Sequence, residues 1–115
     1  MNDNPASSAP TSDGLTPSDV LASMSGIDFL RKMFAGELPP APMIQHVGFT
    51  RGSAEPGFVV FQAIPGPQHY NPIGSMHGGS AATLLDSAMG CAVHSMLPAG
   101  SGYTTLEFKV SLIKR

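Results

Sequence analysis

Apolar residues follow two periods along this chain, one helical and one extended. Ile27, Leu30, Met33 and Phe34 stand three and four apart, the stripe of an amphipathic helix. Thr16-Pro17-Ser18-Asp19 reads as an N-cap, a first-turn proline and an acid. Ser25-Gly26-Ile27-Asp28 repeats the capping pattern, so the helical stretch 17–38 is predicted to break at Gly26. Gly36 is placed to close it, and Pro39-Pro40 cannot continue it. From 43 to 50 the period changes to two, which predicts a strand; 51–57 reads as a turn and 58–64 as a second strand, together a hairpin. Ala81, Leu84, Leu85, Ala88, Met89, Ala92, Val93 and Met96 mark the longest helix, within 68–102. Its other positions are mostly small, so the helix is expected to be buried nearly all round. The clearest strand is 103–114, with Thr104, Leu106, Phe108, Val110 and Leu112 expected to face that helix. No internal repeat is present.

Helices and strands in this order predict an α+β fold. Residues 1–16 carry one Leu among small and polar residues and are expected to form a disordered tail. The folding unit is then 17–115, enough for one modest core.

Composition narrows the function classes. Six Lys and Arg against eight Asp and Glu give a net charge of −2, which excludes a nucleic-acid binder built on clustered cations. The single cysteine makes no intramolecular disulfide, so a reducing compartment is expected. The start MNDNPASSAP lacks a secretory signal pattern, and no apolar run approaches the roughly 18 residues of a membrane span. A cytoplasmic protein without membrane or nucleic-acid partners is the expectation. Four histidines without ligand spacing make no zinc site, and no metal or cofactor is expected.

One charge stands in an apolar stretch. Between Glu55 and Glu107 the only formal charge is Asp86, at the border of the helix stripe beside Ala82, Met89 and Val93. An ionised carboxylate leaves water at a cost of several kcal/mol, roughly, unless it is paired or solvated. Asp86 is therefore either a hydrogen-bonded structural residue or a cleft carboxylate fit to act as base or nucleophile. Before it runs the Gly-rich stretch 69–79, with Asn71, Gly74, His77, Gly78 and Gly79 leading into the helix. First-turn amides have no intrahelical acceptor and, with the helix dipole, favour a developing oxyanion. The structural alternative is a plain turn.

Cys91 reads as a small buried residue and His94 as structural. Met76, Met89 and Met96 fit an apolar ligand pocket or an ordinary core. Lys109, Lys114 and Arg115 fit an anionic ligand or a solvated face.

The run N-P-x-G-x-x-H-G-G-x-x-x-x-L-L-D-x-A-x-G, standing at 71–90, resembles the hotdog-fold acyl-CoA thioesterases, in the branch of the phenylacetate-pathway thioesterase. The likeness covers roughly residues 25–115. It implies a hotdog fold, a long central helix against an antiparallel sheet, with the last strands missing after 115. It further implies a homodimer or homotetramer with sites between subunits, acting on a small acyl- or aryl-CoA. By the same resemblance Asp86 is the base or nucleophile, and the Gly78 N–H polarises the thioester carbonyl. Asn71 helps hold the carbonyl or the water, and His77 supports the loop. Thr104 positions the water, and Gly74 and Gly79 line the substrate. The alternative is a non-catalytic acyl-CoA-binding module or a decayed thioesterase copy. A hotdog hydratase is the weakest reading, because its acid and base residues stand at a different spacing.

Overall fold

The computed structural model describes residues 9–114. The tail expectation therefore applies only from residue 9 on, where Thr11 closes a small turn with Gly14 and Leu15. Helices α1 (Ser18–Ala22), α2 (Gly26–Phe34) and α3 (Pro42–Gln45) precede a hairpin of β1 (Phe49–Glu55) and β2 (Phe58–Ala63). A short 3-10 turn, Pro67–His69, leads through a loop to α4 (Gly78–His94). The result is an α+β arrangement around one two-stranded antiparallel sheet.

The break between α1 and α2 falls where the sequence places it. Ser25 caps α2, its side chain accepting from the Asp28 N–H, and Gly36 follows at φ 82°. Thr16 does not cap α1: Pro17 takes the cap position, and the Thr16 hydroxyl is buried without a partner among the described residues.

The first strand starts six residues later than the alternation predicts, whereas the second, Phe58–Ala63, lies where it was expected. Pro42 starts a helical turn, so 42–45 is α3 and the first strand begins at Phe49. Most of the predicted turn is strand β1. The real turn is Pro56-Gly57 between the paired Glu55 and Phe58, with Gly57 at φ 77°. The period of β1 is hard to see because its inward residues are small. Ala54 is buried, and a Cβ on Gly52 would sit 2.3 Å from the Phe34 ring.

Helix α2 lies across this hairpin. Leu30 is fully buried, and Met33 and Ala54 join it, with Ile27, Phe29, Phe34, Val59, Phe61 and Cys91 packed around them. Burial of the Leu30 side chain alone contributes about 1.5–3 kcal/mol. Phe34 meets Phe61 edge-on at 5.2 Å, and Phe49 adds a third ring 5.4 Å from Phe61. Leu38, Ile44, Val47 and His69 are buried as well.

Two contacts join α2 and the hairpin to the C-terminal end of α4. The Gly26 N–H donates to the Leu97 carbonyl at 3.0 Å, and a Cβ at Gly26 would stand 1.6 Å from the His94 carbonyl oxygen. The buried Ser95 hydroxyl accepts from the Gly57 N–H at 2.7 Å and donates to the Ala92 carbonyl at 2.6 Å.

Two expectations about the helix and its following strand are corrected. Helix α4 is not buried all round: of its residues only Gly90 is fully buried, and Leu85, Met89 and Val93 are 43–53% exposed. The two-stranded sheet covers one side of it and no more. Residues 103–114 are extended but enter no ladder among the described residues. They run back along α4, with Tyr103 over Gly90 and Leu112 near Gly78. The residue parity near Tyr103 is also opposite to expectation. Tyr103 and Thr105 meet α4, while Leu106 is 93% exposed.

Gly26→Ala forces α2 away from the end of α4. It should lower unfolding free energy by at least about 2 kcal/mol in a urea titration, while the neighbouring Ser25→Ala costs about 1 kcal/mol. His94 gives a pH signature. It is half-buried between the Phe29 and Tyr103 rings, and that burial holds its pKa below the usual histidine value. Its neutral form is favoured on folding, so the contribution is complete above about pH 6.5. It is lost as pH falls from there through the folded value. The urea midpoint should therefore drop more steeply between pH 7 and 5 in the unmodified chain than in His94→Gln.

Candidate functional site

The loop into α4 is built on two side chains. His69 is 4% exposed; its Nδ1 accepts from the Gly66 N–H at 2.8 Å, so its Nε2 carries the proton given to the His46 carbonyl at 3.0 Å. The His69 carbonyl in turn accepts the His77 N–H at 2.7 Å. Asn71 organises the next turn. Its Oδ1 accepts from the N–H groups of Ile73 and Ser75, each at 3.1 Å, and its Nδ2 donates to the Ser75 hydroxyl at 3.0 Å. Gly74 sits at φ 82° at the tip of this turn, and its N–H donates to the Asn71 carbonyl. Asn71 thus spends its amide on the loop itself.

His77 is the N-cap of α4, its Nδ1 accepting from the Gly79 N–H at 2.9 Å and its carbonyl from the Ser80 N–H at 3.0 Å. With these two amides taken, the Gly78 N–H is the first-turn donor left without an acceptor among the described residues. It opens on a groove of about 520 Å³ lined by Ser75, Met76, Ala81, Leu112 and Ile113. The four residues Asn71, His77, Gly78 and Gly79 are therefore brought together at one end of α4.

Asp86 lies two turns further along the same helix. Its Oδ1 accepts from the Thr105 hydroxyl at 2.8 Å. It borders a second groove, about 420 Å³, with Met89, Gly90, Val93 and Tyr103. No cation pairs with it among the described residues; the ion pairs are Arg31–Glu55 and Lys32–Glu37, both remote. The hydroxyl on Asp86 is that of Thr105, not of Thr104, which lies along the same groove. The correction follows from the parity of the extended segment.

Two neighbours that the sequence gave no role set that parity. A Cβ on Gly90 would meet the Tyr103 ring at 2.7 Å, so only glycine lets Tyr103 lie on the helix there. Gly90 is one turn beyond Asp86, a rise of about 6 Å, and Tyr103 is two residues before Thr105, about 6.7 Å of extended chain. The lengths match, so seating Tyr103 on Gly90 brings Thr105 to Asp86. Burial pushes the Tyr103 hydroxyl up to about 12, with the Cys91 thiol adding to it. Burial also pushes Cys91 up to about 11, partly offset by its hydrogen bond to Tyr103. Both stay protonated at neutral pH, which agrees with an inert Cys91.

Asp86 and Gly78 do not face one another within a chain. Eight residues of α-helix separate them by about 12 Å. A small carbonyl group cannot touch both in a single chain.

No protein-family model, no curated protein and no solved structure matches this chain. Among the described residues, no helix is long and apolar enough to cross a membrane.

Asn71→Ala removes both acceptor bonds that shape the turn. Hydrogen exchange at the Ile73 and Ser75 amides should accelerate at least about tenfold, with the Leu30 amide unchanged. Equal acceleration at Leu30 instead would mean that Asn71 supports the whole fold.

Proposed function

We propose that this chain is a hotdog-type hydrolase of small acyl- or aryl-CoA thioesters, working as a homo-oligomer. The observation that carries the reading is Asp86. It is a carboxylate in an apolar helix with no cation, held by one hydroxyl at one oxygen, with a groove alongside. The capped, glycine-lined start of α4 supplies what that carboxylate lacks, a free amide for a carbonyl oxygen.

The chemistry follows from those parts. The Gly78 N–H receives the thioester oxygen and strengthens as negative charge develops there. Asp86 takes a proton from water as that water attacks the carbonyl carbon. The tetrahedral intermediate collapses, the C–S bond breaks, and CoA leaves as a thiolate that takes up the proton. The products are the free acid and CoA. Thr105 fixes Oδ1, which leaves Oδ2 to face the water. Because one helix holds Asp86 and Gly78 about 12 Å apart, the pair works between two copies of the chain.

A second reading rests on that same separation. A chain that does not bring the two groups together would bind acyl-CoA without cleaving it.

Asp86→Asn should reduce turnover of a short acyl- and aryl-CoA panel by about 10²–10⁴-fold, with thermal stability little changed. Unchanged turnover in that variant removes Asp86 from the mechanism. Stabilisation of the unmodified chain by CoA esters without release of free thiol supports the binding module instead.

A further inference from the structure

The Gly78 amide takes its direction from a buried residue at the far end of the loop. The His77 C=O and the Gly78 N–H belong to one planar trans peptide unit, so they point in opposite directions. The carbonyl is turned along α4, where it accepts from the Ser80 N–H at 3.0 Å. The Gly78 N–H is thereby turned away from the helix, and Gly78 lines the groove with Ser75, Met76 and Leu112. The other fixed point of His77 is its own N–H, which donates to the His69 carbonyl at 2.7 Å.

Between His69 and His77 the chain is a closed loop. Tyr70 and Met76 pair as an antiparallel bridge, and the Asn71 N–H donates to the Ser75 carbonyl at 2.8 Å. The stem of this loop stands or moves with the backbone of His69. That backbone is held by the His69 ring, which is buried against Gly48; a Cβ there would stand 3.0 Å from Cε1. The two ring nitrogens do different work. Nδ1 accepts from the Gly66 N–H, three residues back, and shapes the local turn. Nε2 donates to the carbonyl of His46, the residue that closes α3, and so ties the loop to a distant part of the chain. An imidazole carries that acceptor and that donor on one rigid ring.

We propose that His69 is a positioning residue for the Gly78 amide. Through its Nε2 bond to His46 it fixes the peptide unit that presents an N–H to the thioester oxygen. The catalytic half of this inference rests on the proposed hydrolysis; the mechanical half does not. An amide aimed at that oxygen acts most in the transition state, where the charge is largest. Its displacement therefore lowers kcat and leaves KM nearly as it was.

Two substitutions separate the two nitrogens. In His69→Gln the side-chain amide reaches as far as Nε2 and keeps a donor for His46; in His69→Asn the shorter side chain reaches only the level of Nδ1. On the full chain, His69→Asn should speed hydrogen exchange at the His77 amide at least about tenfold, with the Leu30 amide unchanged. It should lower kcat on a short acyl-CoA panel at least about tenfold, with KM within about threefold. His69→Gln should return both exchange and kcat to within about threefold of the unmodified chain. A role in stability alone shifts the melting temperature and does not split kcat from KM. Identical exchange in the two variants, or a rise in KM at constant kcat, overturns the proposal. The unmodified chain gives a reading without substitution. Its His69 Nε2–H and His77 amide are released by one opening, so their protection factors should agree within about tenfold. A His77 amide that exchanges freely while the ring N–H stays protected overturns the link. Thiol release keeps the two readings apart. Exchange that follows the Asn and Gln pattern in samples that release no thiol, the unmodified chain included, supports the positioning and removes the hydrolase. Turnover that His69→Asn leaves unchanged while His77 exchange accelerates removes His69 from the reaction and leaves the hydrolase.

Discussion

The structure depends on how closely α2 approaches the end of α4 at Gly26. There is no room for a side chain where the Gly26 Cα faces the His94 carbonyl. The Gly26 N–H, an orphan donor of the α2 first turn, is satisfied by Leu97 across that contact. This fixes one end of α2 against α4. The other end is fixed by Phe34 lying over Gly52 of the hairpin. Leu30 and Met33 are then trapped between, and the core is the consequence of the two close approaches. Surface ion pairs add little: Arg31 and Glu55 are both more than half exposed.

The same device recurs at Gly90, where it serves the site. Glycine at three element contacts lets backbone meet backbone or ring, and each contact sets a register rather than adding apolar area. Tyr103 on Gly90 sets the position of the chain that follows α4, and a match of helix rise to strand rise then brings Thr105 to Asp86. A carboxylate on an apolar helix costs least when one hydroxyl bonds it and water reaches its other oxygen. Asp86 has that hydroxyl and borders a groove.

What was legible in the sequence follows from which residues carry a visible pattern. Ser25, Gly36 and the α4 stripe announce themselves through caps and period, and the structure has all three. The isolation of Asp86 and the cluster of Asn71, His77 and Gly78 at a helix start were legible from charge and glycine placement alone. Strand β1 was not legible, because Gly52 and Ala54 present a face too small to register as apolar. Pro42 overrode the alternation before it. The choice between Thr104 and Thr105 was out of reach for a different reason. Alternation shows two faces of a strand but does not say which faces the helix, and Tyr103 on Gly90 decides it.

The exposure of α4 and of the segment beside it is the same fact seen from two sides. A helix with apolar residues around much of its circumference needs cover on more than one face. The hairpin covers one, and Leu85, Met89 and Val93 remain open beside Tyr103 and Leu106. Residues 103–114 enter no ladder among the described residues, so their backbone lacks the hydrogen bonds that normally offset the cost of ordering it. Pairing of such a segment supplies those bonds, and a face widened by a second strand covers more of the helix.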